Sequence, residues 1–96
     1  MTPFVFRQAA HDRYSAFVDD DSRGPVLDAL DDVLDALSGN LSSQGGRTSE
    51  RRADDQGTIR TIRTTRLGVG DWFLIWIVRP GPDGTDRIEV VWFDQP

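Results

Sequence analysis

The strongest constraint on the fold lies in the last third of the chain. Three strand patterns follow one another there: Thr58–Leu67, Trp72–Arg79 and Arg87–Phe93, punctuated by Gly68–Asp71 and Pro80–Asp86. In the middle one, Trp72, Leu74, Trp76 and Val78 alternate with Phe73, Ile75 and Ile77. Both of its faces are apolar, the mark of a central strand covered on two sides. In the last, Ile88, Val90 and Trp92 alternate with Glu89, Val91 and Phe93, so it too is largely two-sided. A chain built this way must form a sheet and must shield both of its faces.

The segment before the sheet supplies cover for one of them. Pro3–Arg7 reads as a short strand, with Phe4 and Phe6 on one face and Val5 on the other. Ala10, Tyr14, Phe17 and Val18 then fall at helical spacing, with His11, Asp12, Arg13 and Ser15 beside or opposite that stripe. Gly24-Pro25 opens a second helix, since proline suits the first turn, where its missing N–H costs nothing. Val26, Leu30, Val33 and Leu37 form its stripe, widened by Leu27 and Leu34, and Gly39-Asn40 ends it. Two helices cover one face of a small sheet. The other face is left to the long loop, a second copy or a partner chain.

Residues 41–57 are polar and nearly free of apolar side chains, so they read as a flexible loop within a single domain of 96 residues. Charge is unevenly spread. Residues 1–40 carry eight acids against three arginines, residues 41–70 three against six, and residues 71–96 five against two. All eleven basic residues are arginine. An overall charge of −5 argues against a general nucleic-acid binder, while the basic middle segment suits a targeted phosphate site. The chain has no cysteine and one histidine, which excludes disulfides and paired-histidine metal motifs. No apolar run approaches the roughly 20 residues of a membrane span, and the start of the chain lacks a signal-peptide layout. The expectation is a cytoplasmic protein without cofactor, metal or membrane.

Strand, helix, helix, loop and a three-stranded antiparallel meander is an α+β order, β-α-α-β-β-β, that resembles the RelE/ParE superfamily of bacterial toxins. The residues carrying the resemblance are Thr58-Ile-Arg-Thr-Ile-Arg-Thr-Thr-Arg66, Gly70-Asp-Trp-Phe-Leu-Ile-Trp-Ile-Val78 and Arg87-Ile-Glu-Val-Val-Trp-Phe93. The resemblance implies the toxin of a toxin–antitoxin pair, bound by an antitoxin protein. Ribosome-dependent members of the family cut messenger RNA, and others poison DNA gyrase. Arg60 or Arg63 matches the family's arginine in the first meander strand. The family's arginine in the next strand falls on Phe73, and its second aromatic on Trp76. No His, Lys, Arg or Tyr follows Phe93 to supply the usual late catalytic group. The resemblance therefore implies an endoribonuclease with a degenerate active site.

Cleavage through the 2′-OH needs a group to take that proton, stabilisation of the phosphorane charge and protonation of the leaving oxygen. Arg60, Arg63 and Arg66 match phosphate oxygens well, but arginine stays protonated and makes a poor base. In a regular strand Arg60 and Arg66 share one face and Arg63 takes the other. The bland alternative is solvated arginines paired with Asp and Glu. Arg47, Arg51 and Arg52 read as a phosphate-seeking arm or as a solvated loop. His11 is the one group titrating near neutrality, and its helix places it away from the arginine strand. Trp72, Phe73, Trp76, Trp92 and Phe93 read as a partner interface, with core packing as the plainer reading for the tryptophans. Two functions follow: a toxin acting on ribosome and messenger, or a non-catalytic interaction module, homodimeric or bound to an antitoxin-like partner.

Overall fold

A computed structural model describes residues 2–39, 48–53, 57 and 59–96. The chain is α+β, with two helices and one mixed sheet. Its elements are β1 (Phe4–Phe6), α1 (Gln8–Val18), a 3-10 turn (Asp21–Arg23), α2 (Gly24–Gly39), β2 (Thr48–Ala53), β3 (Ile59–Arg66), β4 (Phe73–Pro80) and β5 (Asp86–Asp94). The sheet has five strands in the order β1-β5-β4-β3-β2. β1 lies parallel to β5; the other three pairings are antiparallel.

The segment expected to be a structureless loop over residues 41–57 contains β2. Thr48–Ala53 has no apolar alternation to signal a strand. An outermost strand needs none, because it takes its place from backbone bonds to one neighbour and can stay polar. Residues 41–47, Arg47 among them, and residues 54–56 lie outside the described residues.

Both helices pack on one face of the sheet. Ala10 and Phe17 of α1 and Val26, Leu30, Leu34 and Leu37 of α2 form one buried cluster with Leu74 and Trp76 of β4 and Ile88, Val90 and Phe93 of β5. Asp28, Asp31, Asp32 and Asp35 stay on the outer side of α2, as its periodicity requires. Val18, expected in the α1 stripe, is 57% exposed, because α1 stops there and the chain turns away into Asp19-Asp20. Asp20 caps the following turn, accepting bonds from the Ser22 backbone N–H at 3.0 Å and the Ser22 hydroxyl at 2.7 Å. At the far end of α2, the Thr2 N–H donates to the Ser38 carbonyl at 2.7 Å, tying the start of the chain to the helix end.

The alternation expected in β5 breaks at one residue. Ile75 pairs with Trp92 but Trp76 pairs with Val90, so Val91 is the extra residue of a β-bulge. Beyond it the strand changes phase. Phe93, opposite Leu74, takes the helix side with complete burial, and Trp92 stands opposite Ile75. The β4–β5 turn that sets this register is held by Gly81 N–H to Thr85 O at 2.7 Å and Gly84 N–H to Gly81 O at 2.9 Å. Gly84 has φ +82°, which disfavours any side chain there.

Candidate nucleic-acid interface

The sheet face turned away from the helices carries Phe73, Ile75 and Ile77 of β4, Ile62, Thr64 and Arg66 of β3, and Glu89 and Trp92 of β5, by strand alternation and pairing. Phe73, Ile75, Ile62, Thr64 and Trp92 are partly exposed, and Arg66 is exposed. Ile77 is only 2% exposed yet stands outside the helix-side cluster. Glu89 lies opposite it and collects two arginines, Arg7 at 3.0 Å and Arg79 at 3.4 Å. No helix packs on this face among the described residues.

The arginine strand divides as alternation predicts. Arg63 pairs with Trp76 and its guanidinium carbon lies 5.6 Å from that ring, on the helix side of the sheet. Arg66 pairs with Phe73 at the other end of β3, on the helix-free face. Arg63 and Arg66 therefore do not converge on one centre. Arg60 is placed by backbone register opposite Arg52, and Arg51 opposite Thr61.

The aromatic residues also separate. Trp72, Trp76 and Phe93 belong to this chain's own buried core, at 6%, 1% and 0% exposure. Trp76 donates its indole N–H to the Thr65 hydroxyl at 3.0 Å inside that core. Only Phe73 and Trp92 of the five remain partly exposed. A ring meant for a partner and a ring meant for the core look alike in a two-sided strand; the bulge at Val91 decides between Trp92 and Phe93.

Arg13 is the residue whose placement the sequence obscured. β1 covers β5 only over Ile88–Val90, so the edge of β5 beyond it lacks a strand neighbour. Arg13 fills that gap. Its Nε–H donates to the Phe93 carbonyl at 2.9 Å and its Nη2 to Asp94 Oδ1 at 2.9 Å. The same guanidinium lies 4.7 Å from the Trp92 ring centre and 4.8 Å from that of Phe17. Asp94 is held below the usual carboxylate range, first by the Gln95 backbone N–H, then by the Trp92 indole and Arg13. It is an ionised anchor, unsuited to donating a proton near neutrality.

General acid–base chemistry has no assembled centre among the described residues. His11 is exposed on α1, 3.8 Å from Asp12, on the element layer that covers the opposite face. Glu89 and Asp94, the acids with described side chains on the helix-free strand positions of β5, are engaged by arginines. No group of three or more metal-ligating side chains occurs among the described residues. No described helix is long and apolar enough to cross a membrane. What the face offers is the Arg66 guanidinium beside partly exposed aromatic and aliphatic side chains. Comparison of the chain with protein-family models, with curated proteins and with solved structures finds no match.

Proposed function

We propose that this chain is a RelE/ParE-like toxin of a toxin–antitoxin pair that works through the helix-free face of its sheet, on ribosome-bound messenger RNA. One observation carries the reading. Both helices are spent on one face, while the other combines Arg66 with partly exposed Phe73 and Ile75, with Trp92 at its edge beside Arg13 and packed against the core. Guanidinium groups next to aromatic rings form the surface that single-stranded nucleic acid uses, charge for the backbone and π-faces for bases. The β-α-α-β-β-β order of the family supports the reading, with β2 added at the edge of the sheet.

In this reading the protein supplies charge and position, and any proton transfer draws on the RNA or the ribosome. Phe73 stands where the family carries an arginine, and Arg63 is turned to the helix side beside Trp76. The expected phenotype is growth arrest on tightly controlled expression in a bacterium, with codon-phased messenger cleavage. An Arg60→Ala/Arg63→Ala/Arg66→Ala variant is expected to lose it. Normal growth with abundant soluble wild-type protein, and intact messenger, would overturn the proposal.

A second reading is favoured by the apolar part of the same face. Phe73, Ile75 and Trp92 also suit a protein partner, in a non-catalytic module that forms a homodimer or takes an antitoxin-like segment. A monomer by light scattering that recovers no protein from cells would count against it.

A further inference from the structure

The two edges of the sheet are built differently. β2, at one edge, carries Glu50, Arg51 and Arg52 in its sequence, and charge on an outermost strand discourages a further strand from adding to it. β1, at the other edge, is Phe4-Val5-Phe6 and carries no charge. Phe4 is 39% exposed, and it and Val18 are the large apolar side chains left exposed among the described residues. Backbone bonding settles which groups of β1 face outward. The Ile88 N–H donates to the Pro3 carbonyl at 2.9 Å and the Arg7 N–H to the Val90 carbonyl at 2.9 Å, while Val5 pairs with Glu89. Alternate residues of a strand bond to the same neighbour, so Pro3, Val5 and Arg7 are turned to β5. Phe4 and Phe6 turn their N–H and C=O groups outward, where no strand lies among the described residues.

Phe-Val-Phe reads the same in both directions. A second copy laid antiparallel along β1, with a two-fold axis through Val5, sets Phe4 opposite Phe6 of the second copy and Phe6 opposite its Phe4. These are the residues with outward groups, so each pair exchanges both of its backbone bonds. Val5 meets Val5 of the second copy as the closely spaced, non-hydrogen-bonded pair, its own N–H and C=O being committed to β5. Aromatic pairs across the seam add to the backbone bonds. The helix ends complement each other too. α1 begins without an acid in its first turn, and α2 ends without a base in its last. The same axis sets Gln8 of the second copy level with Thr2, whose N–H donates to the Ser38 carbonyl at the end of α2. The positive end of one copy's α1 then lies beside the negative end of the other's α2.

We infer that β1 is a homodimer seam, at which two copies pair β1 to β1, antiparallel about Val5, into one continuous sheet. The inference goes beyond the function proposed above and uses a different part of the molecule. Its two-fold axis stands perpendicular to the sheet, so both helix-free faces lie side by side and uncovered. A seam of 3 residues from each copy buries less than the roughly 1,200 Å² of a stable interface, so the pair exchanges reversibly with monomer.

The test is sedimentation velocity of the full chain over a concentration series. Wild type is expected to pass from monomer to dimer as concentration rises. Phe4→Lys, which puts a charge on the exposed edge position, should weaken the dimer by about tenfold or more. A second measurement does not depend on that variant. The chain has no cysteine, so Val5→Cys introduces a single thiol. A non-hydrogen-bonded antiparallel pair has Cα atoms about 4.5 Å apart, within the range a disulfide spans. With copper–phenanthroline as oxidant, Val5→Cys should form a disulfide-linked dimer about tenfold faster than Val18→Cys, whose position on α1 is 57% exposed. Monomer at every concentration, equal crosslinking rates in the two cysteine variants, or a Phe4→Lys dimer as tight as wild type would each overturn the inference. A dimer kept by Phe4→Lys and abolished by Arg66→Ala/Phe73→Ala would overturn it in favour of a seam on the helix-free face. A dimer with the expected Val5→Cys crosslink, formed by a protein that does not arrest growth, would keep the seam and remove the proposed function.

Discussion

Arg13 shows how a single side chain can close a sheet. It supplies the donor that the unpaired edge of β5 lacks, neutralises Asp94 and lies across Trp92 and Phe17. Nothing in its spacing distinguishes it from a solvated helix arginine, because the gap it fills is made by a strand 80 residues away that β1 covers only in part. The Asp94 end of this contact sets a pH dependence. Its folded pKa lies below its ordinary value of 3.8, so its contribution is fully present above that value and is lost as pH falls through the folded one. Asp94→Asn should therefore flatten the acid limb of a Tm-against-pH curve; an unchanged limb would refute this. Asp31 has the opposite sign. Partial burial, foremost, with Asp35, Asp28 and Asp32 nearby, raises its pKa although Tyr14 donates to it. Its contribution is fully present below 3.8 and is lost as pH rises through the raised value. Asp31→Asn is thus expected to raise Tm at neutral pH and to do nothing below pH 3. Inside the core, Trp76→Phe removes the Thr65 partner and should destabilise by about 1–3 kcal/mol, read from urea unfolding.

At the level of elements, the periodic segments were legible and the aperiodic ones were not. The α2 stripe of Val26, Leu30 and Leu37 appears where 3.6-residue spacing puts it, and so do Leu74 and Trp76 of β4. Those patterns exist because burial on one side imposes them. β2 was invisible because an edge strand buries little, and the β5 bulge because one inserted residue leaves both phases apolar: Trp92 and Phe93 suit a core equally well. Which arginines share a face was readable for Arg63 and Arg66. That Arg79 faces Arg87 required the turn geometry of Gly81–Thr85. The bulge gives a direct prediction. Deleting Val91 removes the extra residue and leaves Val90 opposite Trp76, Trp92 opposite Ile75 and Phe93 opposite Leu74 in an unbroken ladder. The deletion should therefore cost far less stability than Phe93→Ala, which is expected to lose about 3–5 kcal/mol by denaturant midpoint. A deletion as damaging as Phe93→Ala would show that Val91 is not the inserted residue.

The whole molecule separates its charge along with its layers. The acids of α2 lie over the helical side, while Arg66 of β3, Arg79 of β4 and Arg87 of β5 stand on the sheet. This arrangement suits a target bound at one face while the rest of the surface repels non-specific polyanions. It also limits the chemistry. Glu89 and Asp94 are engaged by arginines and His11 lies on the opposite layer, so the proposed function leaves proton transfer to the RNA or the ribosome. If the helix-free face meets the target, growth after induction will separate two triple variants. One is Arg66→Ala/Phe73→Ala/Trp92→Ala on the helix-free face, the other Asp28→Asn/Asp32→Asn/Asp35→Asn on α2, with both confirmed folded by circular dichroism. Arrest should be abolished by the first and retained by the second. Arrest that survives the first and fails in the second would contradict it.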